Sequence, residues 1–159
     1  MNHPFLVLLH VAASLVGLGA GLIAIGLRLA GGSAGTSGRV FLVGTALSTV
    51  TGFLLPLPGF SPAVAVGILS VPLLVLAAWP RPGTPRGHAV RAGSAAALVY
   101  LNALVLTAQL LMKVPPLRDL APSPASPAFA AAQAAVLACF AVLGTAVVRA
   151  GVTSREARP

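Results

Sequence analysis

Acid is what this chain has least of. Two carboxylates stand against ten Lys and Arg. Charged residues of both signs make up 8% of the chain, where a water-soluble domain carries about 25%. A lone cysteine, Cys139, excludes an internal disulfide and any multi-cysteine metal site. No Asp or Glu lies inside an apolar run, and the three histidines are His3, His10 and His88. Sites for a catalytic metal need about three or four ligands, so none is expected. Proton relays through a membrane rely on acids or histidines, and only His10 could serve. Nucleophilic catalysis needs a hydroxyl or thiol beside an oriented base. Cys139 sits in an apolar run and reads as a packed small residue. His10 and Ser14 are one turn apart but have no visible third group. No enzyme chemistry follows from these residues.

What the chain has is apolar length: 57% of it is hydrophobic. Its bases fall in short gaps between apolar runs and form no clustered face, which argues against nucleic acid and for a membrane with anionic lipid on one side. A membrane helix takes about 20 mostly apolar residues. Five stretches qualify or nearly do: 1–30 (apolar from Phe5 to Leu29), 40–57, 62–79, 92–112 and 128–149. The expected architecture is a single all-α transmembrane domain over 1–159, a bundle of five transmembrane helices. The link "PLPGFS" between the second and third runs is itself apolar, so four spans plus a re-entrant hairpin is the alternative. "SP" stands before two spans, at Ser61–Pro62 and Ser126–Pro127, where Ser caps free N–H groups and Pro suits the first turn. Pro72 falls inside the third run and should kink it.

Charge sets the direction. With the N-terminus outside, Arg28, Arg39, Arg81, Arg86, Arg91, Arg149, Arg155 and Arg158 are all cytoplasmic, and Lys113, Arg118 and Asp119 are outside. That places a multi-pass protein in a bacterial inner membrane with a cytoplasmic C-terminus. The first run is too long for a signal-peptide core of about 7–15 residues, and no positive segment precedes it.

Helices associate in lipid through small residues. The first run carries Gly17 and Gly21, and the second carries Gly44, Ser48 and Gly52, each at small-xxx-small spacing. His10 shares the Gly17 and Gly21 face at about 100° per residue. On the fourth run Asn102, Gln109 and Lys113 form one polar stripe, with Arg91 on it at the inner end. Thr51 and Gln133 fall at similar outer depth. A polar side chain facing lipid is costly, so these residues are expected to form a cluster in the outer half of the bundle. The cluster His10, Thr51, Asn102, Gln109, Lys113 and Gln133 is the candidate ligand site. The alternative is that these groups bond one another and fix helix register.

The runs "TGFLLPLPGFSPA", "YLNALVLTAQLLMKVPPLRDLAP" and "SPAFAAAQ" resemble a group of small bacterial membrane proteins, a predicted membrane protein family described only as a domain of unknown function. Members often carry a His-Arg pair in the first inner loop. Here "GGSAGTSGR" keeps Arg39 without the His. The resemblance implies a membrane bundle and an outer-side cluster, and no activity.

The leading functional expectation is a non-catalytic binding or accessory subunit of an inner-membrane complex. It would contact membrane lipids, and other membrane subunits or further copies of itself. A quinone- or haem-binding redox protein is the alternative. His10, Asn102, Gln109 and Thr51 would supply donors to a quinone headgroup beside Phe53. Haem b fits less well. His3 and His10 lie about 10 Å apart along one helix, and His88 is in the other half, which leaves His10 with a second ligand such as Met112. A small carrier is a third reading.

Overall fold

The computed structural model describes residues 4–56, 59, 61–79 and 84–156, the last five of these by backbone alone. His3, Leu57, Arg81, Arg158 and the side chain of Arg155 lie outside the described residues, as does much of the "PLPGFS" link. Every described element is a helix: α1 (Pro4–Leu29), α2 (Gly35–Leu54), α3 (Pro62–Ala78), α4 (Pro85–Lys113), α5 (Pro115–Leu120) and α6 (Pro127–Glu156).

The helix starts follow local chemistry. Ser61 accepts a hydrogen bond from the Val64 N–H, and Ser126 accepts from Phe129 N–H at 3.3 Å. Thr84–Pro85 repeats the pattern at α4, where the Thr84 hydroxyl accepts from Gly87 N–H at 3.1 Å. Each hydroxyl satisfies one of the N–H groups a first helical turn leaves open. α4 therefore begins at Pro85 and not near Ala92, and α2 begins at Gly35 and not at Val40. Hydropathy marks the part of a helix that lipid would cover. The helix itself runs on through polar sequence until a breaker or cap stops it. α6 likewise continues past Val148 to Glu156.

α1, α2, α4 and α6 up to Gly151 are long and apolar enough to cross a membrane. α3, with 17 residues, is the shorter apolar helix and continues through Pro72. Large apolar side chains point outward along the bundle: Val142 is 70% exposed, Val43 67% and Ile23 60%. Water would penalise such a surface, and lipid would not. α4 is the central element, packed against α1, α3, α5 and α6. Its Leu98 and Val99 are fully enclosed, and with Phe41, Ala77 and Val147 they form the core.

Candidate functional site

α1 and α2 run antiparallel at backbone contact. Gly17 lies against Gly44: a Cβ on Gly44 would stand 2.9 Å from Gly17 Cα. Gly21 makes room for Phe41 and Val99, and Gly52 makes room for the His10 ring. The expected small-residue faces thus meet one another, and the meeting fixes what lies between them.

Next to Gly17 a polar zipper closes the same seam. The Ser14 hydroxyl donates to the His10 carbonyl at 2.8 Å, so the Ser48 hydroxyl is the donor in the 2.5 Å Ser14–Ser48 bond. His10 Nδ1 lies 3.0 Å from the Ser48 carbonyl oxygen and 3.2 Å from Thr51 Oγ1. A carbonyl can only accept, so Nδ1 carries the proton and donates. The Thr51 hydroxyl in turn donates to the Leu47 carbonyl at 2.8 Å. Ser48 and Thr51 are buried, so each bond closes a group that would otherwise be stranded.

One turn from Ser48, buried Thr45 accepts from Asn102 Nδ2 at 3.2 Å, which ties α2 to α4. The amide also donates to the Leu98 carbonyl at 3.2 Å. On the far side of α4, Gln133 Nε2 donates to the Leu104 carbonyl at 3.4 Å, which ties in α6, while its Oε1 is buried without a partner among the described residues. The sequence cluster therefore splits. His10, Thr51 and Asn102 converge on α2, and Gln133 joins the other face of α4. Gln109 and Lys113 are exposed and outside the cluster. Thr45 is the residue that sequence reasoning passed over. Its place between Gly44 and Ser48 on the stripe was the available signal.

A second feature, an open cavity, lies elsewhere. A cavity of about 720 Å³ sits at the opposite end of the bundle, where the α1–α2 turn meets the first half of α4 and the end of α6. Gly31 (φ 78°) and Gly35 (φ 43°) make that turn. Arg28, Arg39, Arg91 and His88 line it, above an apolar floor that includes Phe41, Val99 and Val147. Arg28 is half-buried, and Arg39 and Arg91 are exposed. His88 and His10 are thus at opposite ends, and they cannot clamp one haem iron between them.

No family model matches the chain, and neither does any curated protein or solved structure.

Proposed function

We propose that the chain is a five-span bacterial inner-membrane protein, N-terminus outside and C-terminus cytoplasmic, that acts as a non-catalytic binding or accessory subunit. α3 would be the fifth span, since 17 residues at about 1.5 Å each reach near the lower limit for crossing a bilayer. Arg28, Arg39, Arg86, Arg91 and Arg149 belong to the cavity end of the bundle, and Lys113 and Arg118 to the other. That asymmetry supports the orientation through the positive-inside rule. The resemblance to small bacterial membrane proteins of unknown function points the same way.

The observation that carries the non-catalytic reading is the pairing of the interior polar groups. His10, Ser14, Ser48, Thr51, Thr45 and Asn102 hydrogen-bond to one another or to backbone. A group engaged this way holds helices in register and is not poised for a substrate. A quinone would need those donors released. Meanwhile α6 presents Leu137 and Val142 outward, which suits lipid or a neighbouring membrane helix. Purification in mild detergent with mass measurement of the intact assembly tests the role. A second subunit or further copies should accompany the chain, and a strictly monomeric species would reject an accessory role.

A further inference from the structure

We infer that the arginine-lined cavity at the end of the bundle binds a phosphate-class oxyanion, carried by an anionic lipid headgroup or by a free phosphate compound. Three arginines from three helices line one space: Arg28 of α1, Arg39 of α2 and Arg91 of α4. Among the described residues, no carboxylate lines it with them. Folding therefore gathers like charges around one space with no opposite charge among the described residues of its wall, half-buried Arg28 among them. Like charges gathered around one space raise its positive potential, and an anion among them relieves their repulsion. Guanidinium forks match the oxygens of phosphate, with two parallel bonds where geometry allows.

The size and lining narrow the ligand further. About 720 Å³ is within the usual range for small-molecule sites and far exceeds a bare oxyanion. The cations sit with the helix ends, while Phe41, Val99 and Val147 make an apolar floor. A phosphate attached to an apolar or glycerol-like body satisfies both parts. α2 also begins at this wall, with Ser33, Ala34 and Gly35 lining the cavity and no side chain capping the helix. Its open N–H groups add to the positive potential but do not define the site. The inference relies on the membrane reading only for the source of the phosphate.

The test uses the full chain in two settings. In the first, nanodiscs of phosphatidylcholine doped with phosphatidylglycerol are compared by native mass spectrometry for lipids retained on the protein. In the second, inorganic pyrophosphate is titrated against the protein in neutral detergent and the melting temperature is read. Arg39 and Arg91 are exposed, so Arg39→Gln with Arg91→Gln leaves the core intact. Arg86→Gln is the control, exposed at the same end but absent from the lining. Preferential retention of phosphatidylglycerol should fall about tenfold or more in the double variant and persist in the control, since charge-assisted bonds of this kind are the strong ones. Arg91→Lys should keep part of it. A pyrophosphate-dependent rise in melting temperature, lost in the double variant and without lipid preference, assigns the site to a free phosphate compound. No preference in either setting overturns the inference, and so does an equal loss in Arg86→Gln.

Discussion

The seam between α1 and α2 makes a sharp prediction at Gly44. A methyl group there would lie 2.9 Å from Gly17 Cα, 3.0 Å from the Ala13 carbonyl oxygen and 3.1 Å from Gly17 N. Relaxed carbon contacts fall at about 3.5–4.0 Å, so the methyl intrudes by roughly 0.6 to 1.1 Å. All three neighbours are backbone atoms, and no rotamer change can relieve them. The helices must separate or slide. Either movement also stretches the Ser14–Ser48 and His10–Thr51 bonds, which lie within two turns of Gly44 on the same face. Overpacking of this kind costs about 1–3 kcal/mol, and the better helix propensity of Ala offsets up to about 1 kcal/mol. Gly44→Ala should therefore destabilise by about 1–2 kcal/mol. Gly19→Ala is the matched control, because nothing lies within 4 Å of its added carbon. It should be neutral or slightly stabilising. Reversible unfolding by denaturing detergent, run on both variants in one micelle system, measures the difference. Gly44→Ala as stable as Gly19→Ala would refute the backbone-contact argument.

Asn102→Leu removes the α4–α2 link and leaves buried Thr45 without its partner; interhelical bonds of this kind average about 0.6 and reach about 1.7 kcal/mol. Adding Thr45→Val should recover part of that loss in the same unfolding assay, and purely additive losses would deny the coupling. Gln109→Leu should change stability by less than about 0.5 kcal/mol, because the side chain is exposed and makes no hydrogen bond to a described residue. A larger drop in the unfolding assay would place Gln109 in the packing after all. A cytoplasm-active reporter fused after Arg158 should be active and a periplasm-active one silent, and the reverse pattern would invert the proposed orientation.

How much of this was legible in the sequence depends on whether the cause was local. Ser61 and Ser126 announced their own caps because a cap needs only the next three residues. Gly17, Gly44 and Gly52 announced a contact face because helical spacing sets a stripe without reference to a partner. The stripe did not name its partner, so Ser48 was legible as a small residue but not as a donor to Ser14. α5 gave no signal in the sequence because six residues, two of them Pro, set up no periodicity. The arginine cavity was least legible of all. Arg28, Arg39 and Arg91 each serve equally well as an orientation signal, and only the fold brings them around one space.

The polar stripe on α4 shows why spacing alone could not define the site. Asn102 and Gln109 are seven residues apart and point within about 20° of one another. Yet Asn102 is tied to Thr45 and Gln109 is exposed. α2 and α4 both start at the cavity wall, near Gly35 and His88, and they advance in the same direction. Thr45 is level with Asn102, so the residue level with Gln109 is near Gly52. There the His10 ring already fills the space above Gly52. Two residues later α2 ends at Leu54, while α4 runs on to Lys113. The same side of α4 is thus half-buried at Asn102 and exposed at Gln109. At the cavity end the relation is reversed. Arg91 lies where α1, α2 and α6 all reach the same level, and small residues such as Ala92, Ala95 and Ala96 keep the wall of α4 low enough to leave a space between them. The proposed phosphate site therefore uses the first half of this helix, where α1, α2 and α6 also line the space, whereas in the second half Asn102 is paired and Gln109 is exposed.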